Sequence, residues 1–155
     1  MNELGDGQLP EKESLMRSIG LAGHQMDKRL DTALAPYRLS IAKLGVLRAL
    51  LLSGEPLSLS QLAEQLACVK SNITQLVDRL EEDGLVRRIA DLSDRRCKRA
   101  MLTTEGQRLY FVGARVEAQA DAELFQSISS EERRQLRGLL ARFAGQVPGK
   151  YLTIE

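Results

Sequence analysis

Four cationic side chains lie within five positions of this sequence: Arg95, Arg96, Lys98 and Arg99. Residues 84–103 contain six Lys or Arg and only two Asp, whereas the whole 155-residue chain has a net charge of +1. A basic segment on a nearly neutral chain indicates an anionic partner. The alternative interpretation is a solvated, charged hairpin that binds nothing.

A second set of polar side chains lies on a predicted helix just before the basic segment. On a helical wheel Ile73, Val77 and Leu80 share the apolar side of that helix. The opposite side and its flanks carry the polar residues Ser71, Asn72, Thr74, Gln75, Asp78 and Arg79. Hydroxyl and amide side chains donate to phosphates and read base edges, and the N-terminus of a helix favours phosphate. This surface therefore has the chemistry of a recognition helix for DNA.

Three helices are predicted ahead of this one. Apolar residues recur at steps of three and four over residues 11–35, which indicates an amphipathic first helix that Pro36 ends. Ser40 is placed to cap a second helix, which ends in the sequence SGEP. Ser58 and Gln61 have the spacing of a capping box and so predict a short third helix.

The fourth helix follows residues 67–70 and is expected to end at Gly84. Two short β-prone stretches, residues 85–90 and 99–103, surround a polar tip and predict a β-hairpin. Helices three and four, joined by a tight turn, form a helix-turn-helix, and the hairpin makes it a winged helix. The basic cluster would then lie at the tip of the wing.

Two further helices are predicted after the hairpin. Thr104 and Gln107 have capping-box spacing at the start of a long fifth helix, and Ser129 and Glu132 have it at the start of a sixth. Both helices carry long apolar stripes outside the winged helix. Because an unpaired apolar stripe is costly in water, a twofold-related second copy is expected to cover them.

The composition narrows the class of protein. The length suits one domain, and the 43% of apolar residues, without Trp, favour a helical core rich in Leu and Ala. No stretch approaches the roughly 20 apolar residues that span a membrane, and the polar N-terminus does not resemble a signal peptide, so we expect a cytoplasmic protein. With one histidine and none of the common catalytic or nucleotide-binding motifs, we expect neither an enzyme nor a cofactor.

The segments QLAEQLACVKSNITQLVDRLEEDGLVRR and DLSDRRCKRAMLTTEG resemble the MarR family of bacterial transcriptional regulators. The matching positions are Leu62, Ala63, LVDRLE at 76–81, GLVRR at 84–88, the D-x-R element at Asp94 and Arg96, and the L-T-x-x-G element at Leu102, Thr103 and Gly106. These spacings run without a gap over about 45 residues, which makes the resemblance more specific than a lone helix-turn-helix.

The resemblance implies a mainly α fold with a small β-hairpin wing. Its winged helix-turn-helix, residues 39–103, would lie between dimerisation helices at residues 11–38 and 104–155, after a disordered lead at residues 1–10. It also implies a homodimer on a palindromic operator in double-stranded DNA, typically as a repressor that a small ligand releases.

Family positions suggest a role for each candidate residue. Asp94 would orient the wing arginines, since a free carboxylate near phosphate is repelled. DNA contacts are expected from the recognition helix and the wing, at Lys70, Ser71, Asn72, Thr74, Gln75, Arg79, Arg95, Arg96 and Lys98. A small aromatic or anionic effector is expected near His24, Tyr37 and Arg38.

Two features depart from the family pattern. Many members have Gly where this chain has Ala67, and Ser or Thr where it has Val69. Because Val69 supplies no side-chain cap, the recognition helix could begin at Lys70 or at Ser71.

Two alternatives stay open. The winged helix could serve protein contacts in a dimeric interaction module, although the basic wing argues against this. Cys97, beside two cations on the wing, could be redox-active, or it could be an ordinary exposed thiol. Cys68 is interpreted as a small core residue of the turn.

Overall fold

The computed structural model describes residues 14–91 and 98–144, so the expected disordered lead, residues 1–10, lies outside the described residues. Within these ranges the chain forms six α-helices, a short 3-10 turn and three strands. In chain order they are α1 (Leu15–Leu34), the 3-10 turn (Ala35–Tyr37), α2 (Ile41–Ser53), β1 (Leu57–Ser58), α3 (Leu59–Gln65), α4 (Lys70–Glu82), β2 (Val86–Ala90), β3 (Lys98–Leu102), α5 (Thr104–Leu124) and α6 (Ser130–Ala144). The predicted mainly α fold with a hairpin wing is confirmed.

Side-chain caps fix most helix starts where the sequence predicted them. The hydroxyl of Ser40 accepts a hydrogen bond from the N–H of Lys43, and Ser58 and Gln61 form the complete capping box at α3. The predicted cap of α5 was wrong by one residue, because Thr103 rather than Thr104 accepts the N–H of Gly106.

The strands form one antiparallel sheet in the order β1–β3–β2. In the predicted hairpin Val86 pairs with Leu102 and Arg88 pairs with Ala100. The two residues of β1, which the sequence did not predict, pair with the other edge of β3. The wing is therefore held to the body of the protein along its returning strand.

One core joins these elements. Side chains from α1 to β3 that are completely buried are Leu34, Val46, Leu47, Leu62, Ile73, Val77, Leu80 and Ala100. Helix α5 closes this core with glycine: a Cβ at Gly113 would lie 2.6 Å from Leu44 and 3.0 Å from Leu39. A side chain at this position would therefore have to displace the methyl groups of Leu44 and Leu39.

The two ends of the hairpin meet at Gly84, Leu85 and Thr103, between the end of α4 and the start of α5. We call this polar junction the foot of the wing. Gly84 ends the α4 turn with a φ of 72°, in the left-handed region that favours glycine. The Thr103 hydroxyl donates to the Gly84 carbonyl (2.8 Å) while it accepts the N–H of Gly106 (2.9 Å). The backbone N–H of Thr103 donates to the Leu85 carbonyl at 3.1 Å. The two family elements, G-L-V-R-R and L-T-x-x-G, therefore meet in space.

Large apolar side chains remain uncovered on α1, α5 and α6. No residue from Ser130 to Phe143 is buried, although α6 carries an apolar stripe. The exposed large apolar residues of these helices are Leu15, Met16, Leu21, Phe111, Leu136, Leu139, Leu140 and Phe143. No helix among the described residues is long and apolar enough to cross a membrane.

Candidate nucleic-acid interface

The recognition helix α4 begins at Lys70, which resolves the choice between Lys70 and Ser71. Its N-cap is Val69, and this residue makes no side-chain capping hydrogen bond. The first backbone N–H groups of a helix have no partner within the helix. Val69 supplies no side-chain cap, and its carbonyl accepts the N–H of Asn72 at 3.0 Å, so the N–H groups of Lys70 and Ser71 are the ones placed to meet an incoming anion such as a phosphate.

The outer face of α4 is polar, as predicted. Ile73, Val77 and Leu80 are completely buried on its inner face. Five predicted DNA-contact residues are exposed on the other side: Lys70, Ser71, Asn72, Gln75 and Arg79. The sixth, Thr74, is half-buried and its hydroxyl donates to the Lys70 carbonyl at 3.0 Å. Thr74 therefore has only acceptor capacity left to offer a ligand.

The turn before α4 differs from the expectation in one respect. Ala67 takes a left-handed conformation with a φ of 47°, and the Cys68 N–H donates to the Ala63 carbonyl at 3.0 Å. The prediction that Cys68 is a core residue was wrong, because this turn leaves its side chain exposed. Both Cys68 and the 62% exposed Val69 lie on the surface next to the N-terminus of α4.

The wing carries fewer free cations than the sequence suggested. Arg99 binds the buried carboxylate of Asp91 through Nε (2.5 Å) and donates from Nη1 to the Pro56 carbonyl at 3.3 Å. The ion pair of Arg99 thus joins the two strands of the hairpin, and its hydrogen bond to Pro56 fastens β3 to the body. Lys98, one residue earlier on the strand, is exposed, in agreement with the alternation of strand faces.

Arg88 is a second internal cation of the basic window, and sequence reasoning missed its role. Its Nη1 lies 2.7 Å from Oε2 of Glu81 and its Nη2 lies 2.5 Å from Oδ1 of Asp78. Burial would lower the pKa of Arg88, but the hydrogen bonds that it donates to Asp78 and Glu81, and the negative charges of these two acids, raise the pKa above its ordinary value. The available signal was the pair of carboxylates three residues apart, which places both on one side of α4.

The C-terminal end of α4 is tied to α2. Nζ of Lys43 lies 2.6 Å from Oδ2 of Asp83, the C-cap of α4, and it also donates to the Arg38 carbonyl at 3.0 Å. Arg38 is itself left-handed, with a φ of 58°. An ion pair thus connects the junction of α1 and α2 to the end of the recognition helix.

The candidate effector residues do not form one compact group. His24 lies in an open groove on α1 that is lined by His24, Asp27, Lys28, Asp31, Thr32 and Ala35. Tyr37 and Arg38 are exposed just beyond the end of α1. The Asp31 carboxylate in this groove also accepts the Ile41 N–H at 2.8 Å, at the start of α2. The groove therefore adjoins the helix that connects to α4.

The remaining candidates, Asp94, Arg95, Arg96 and Cys97, lie outside the described residues.

Comparison with known proteins agrees with this geometry. Residues 39–98 match the sequence model of the MarR family. Over 119 residues the chain is 33% identical to the HTH-type transcriptional regulator PecS of Dickeya dadantii (strain 3937), covering 76% of this chain and 72% of that protein.

Solved structures extend the similarity to the flanking helices. CouR from Rhodococcus jostii RHA1, bound to p-coumaroyl-CoA, superposes with a TM-score of 0.74 at 28% identity over 89% of this chain and 96% of its own. A cysteine-to-serine mutant of MarR from E. coli, complexed with operator DNA, gives a TM-score of 0.75 at 25% identity over 83% of this chain and 92% of its own.

Proposed function

This chain belongs to the MarR family of DNA-binding transcriptional regulators, and from that premise we propose that it binds a palindromic operator as a homodimer and represses transcription until a small ligand releases it. The observation that carries the proposal is the surface of α4. Its polar residues are exposed around an uncapped N-terminus while its apolar face is completely buried. Action on DNA also makes the cytoplasm the natural location.

On this proposal the N-terminal half of α4 enters the major groove. Asn72 and Gln75 each offer a donor and an acceptor to a base edge, most readily to adenine. Lys70, Ser71 and Arg79 suit phosphate, which positions the helix without reading sequence. The complex of the E. coli MarR mutant with operator DNA supports binding of this fold to DNA. At the wing, Arg96 would enter the neighbouring minor groove and Arg95 would lie on phosphate, with Asp94 as the partner that orients the arginines and Lys98 as a further candidate contact.

The homodimer accounts for the apolar surface of the protomer. Exposed apolar side chains lie on α1, α5 and α6, outside the winged helix. Removing apolar surface from water is favourable by about 25 cal/mol per Å², so these side chains favour association with a second copy. A twofold axis would present two recognition helices to half-sites about one DNA turn apart, hence a palindromic operator.

The effector is proposed to be a small aromatic or anionic molecule that binds near His24, Tyr37 and Arg38. The structure of CouR with p-coumaroyl-CoA supports an aromatic, anionic ligand class. A ligand there would act on α2 through the adjoining Asp31 contact and so on the placement of α4.

A salt titration tests the proposed DNA binding. The measurement is the affinity of the full chain for a random-sequence duplex, followed by selection of preferred sites from a random library. We expect log affinity to fall steeply and linearly with log salt concentration, and the selected sites to be palindromic. A protein-interaction module would bind duplex weakly at every salt concentration and would select no site.

A further inference from the structure

The recognition helix has an unusual content of acid for a surface that meets DNA. Helix α4 and its C-cap carry four carboxylates, Asp78, Glu81, Glu82 and Asp83, against two cations of their own, Lys70 and Arg79. Two more cations reach the helix from other elements: Arg88 from β2 and Lys43 from α2. With these, the positive and negative charges of the helix are equal in number.

Asp78 is the carboxylate closest to the reading surface. It follows Gln75 by three residues, and a spacing of three puts side chains on the same side of a helix. Its side chain is 48% exposed. A carboxylate free to turn outward here would meet the phosphates beside the groove, and like charges brought together oppose binding.

Arg88 holds this carboxylate by a rigid geometry. The Arg88 side chain is only 17% exposed, and its guanidinium donates to Asp78 from Nη2 and to Glu81 from Nη1. The backbone N–H of Arg88 donates to the other oxygen of Glu81 at 3.0 Å. Both ends of the Glu81 carboxylate are therefore fixed to the wing strand, and the planar guanidinium directs Asp78 toward the same strand.

We propose that Arg88 is a positioning residue for DNA binding, which draws the carboxylates of Asp78 and Glu81 against the wing and out of the path of the DNA. The inference rests on the proposed docking of α4 in the major groove. Arg88 itself touches no DNA on this proposal. It acts through the two acids.

A double-mutant cycle separates positioning from simple charge. The variants are Arg88→Gln, the pair Asp78→Asn with Glu81→Gln, and the triple combination, each measured against a random-sequence duplex at several salt concentrations. Loss of one positive charge at fixed geometry changes the DNA affinity by the same factor with or without the acids. Only a change in where the acids lie makes the two factors different.

We expect Arg88→Gln to weaken binding about tenfold in the native background, but only about twofold once both acids are neutral. Arg87→Gln is the matched control, because it removes the same charge one residue away on the other face of β2, where Arg87 is exposed beside Met101. It should cost about twofold in either background.

Several results would overturn the proposal. If Arg88→Gln weakens DNA binding by the same factor with and without the two acids, Arg88 acts only through its charge or contacts DNA directly. A lower melting temperature with unchanged DNA affinity would make the cluster purely structural. A changed base preference for Asp78→Asn in site selection would make Asp78 a reading residue.

If Arg88→Gln does not fold, the double variant Asp78→Asn with Glu81→Gln tests the proposal alone, since it should bind DNA at least as tightly as the native chain. A weaker pair would contradict the proposal. A native chain that does not bind duplex at all would instead contradict the proposed function.

Discussion

Gly106 of α5 lies directly against the backbone of Leu85: a Cβ added at Gly106 would stand 2.0 Å from the Leu85 carbonyl oxygen. Because that oxygen belongs to the backbone, it can move away only if the foot of the wing moves. Gly106→Ala should therefore lower the free energy of unfolding by about 3 kcal/mol or more. Urea denaturation followed by circular dichroism measures this. Gly20→Ala on α1, where nothing lies within 4 Å, should be neutral or stabilise by up to about 1 kcal/mol; similar losses for both variants would contradict the close-approach explanation.

The turn between α3 and α4 contains a correctable strain. Ala67 has a φ of 47°, a conformation that costs a residue with a Cβ about 1–2 kcal/mol. Ala67→Gly should remove most of that cost and, after the extra entropy of Gly in the unfolded chain, raise the free energy of unfolding by about 0.5–1 kcal/mol. Ala63→Gly, in the regular part of α3 and buried, should destabilise instead. A loss of stability at position 67 would contradict the prediction.

Base reading should depend on Asn72 and Gln75. Replacing either with Ala removes a donor and an acceptor from the major groove, which should cost about 1–3 kcal/mol on the selected site and relax the preference at one position. Fluorescence anisotropy on the selected site and on single-base variants measures both effects. Gln107→Ala is the control, since it removes an exposed amide from α5, outside the predicted DNA contacts. Unchanged sequence preference in both alanine variants would show that other residues read the bases.

The two wing arginines should differ in what they sense. Arg95→Ala should weaken binding to all duplexes alike and reduce the salt slope by about one unit, as expected for a phosphate contact. Arg96→Ala should in addition abolish discrimination between A·T-rich and G·C-rich flanks, because a minor-groove arginine responds to groove width. The measurement uses two operators that differ only in their flanks. Retention of the flank preference in Arg96→Ala would rule out insertion, whereas identical behaviour of Asp94→Ala and Arg96→Ala would favour a structural pair.

Association of two chains should depend on the apolar stripe of α6. Leu139 is 58% exposed on that stripe, so Leu139→Glu puts a charge into the proposed interface without disturbing the core of the protomer. Sedimentation at micromolar concentration should show a dimer for the native chain and a shift toward monomer for the variant. Gly138→Glu adds the same charge at the neighbouring position, where nothing lies within 4 Å, and should stay dimeric. A native chain that sediments as a monomer would contradict the homodimer.

The helix starts were predictable where a local pattern is sufficient. The capping box of Ser58 and Gln61 involves atoms only three residues apart, so the sequence contains all of its information. Thr103 and Thr104 were harder to separate, because both residues suit an N-cap. A contact from outside the helix decides between them: the Thr103 hydroxyl also reaches the Gly84 carbonyl.

The sequence predicted that the candidate site is a DNA-binding surface, but it did not predict how many of its positive charges are free to meet DNA. A count along the sequence treats every Arg in the basic window as free. The fold brings Pro56 to Arg99 from a segment that the sequence gives no reason to place there. It also brings Asp78 and Glu81 to Arg88; their spacing puts the two carboxylates on one side of α4 but does not name the cation that they bind. Strand β1 escaped prediction for a related reason, since two residues make no periodic pattern and their pairing partner lies far along the chain.

The joint at Thr103 and Gly84 has a consequence for how such a regulator could change. Both ends of the hairpin are fastened to each other at its foot, where α4 and α5 also meet. Residues between the two strands could therefore be inserted, deleted or replaced by residues of another charge while both helices keep their positions. A new preference for flanking DNA could then arise by substitution of a few residues, while the rest of the fold stays unchanged.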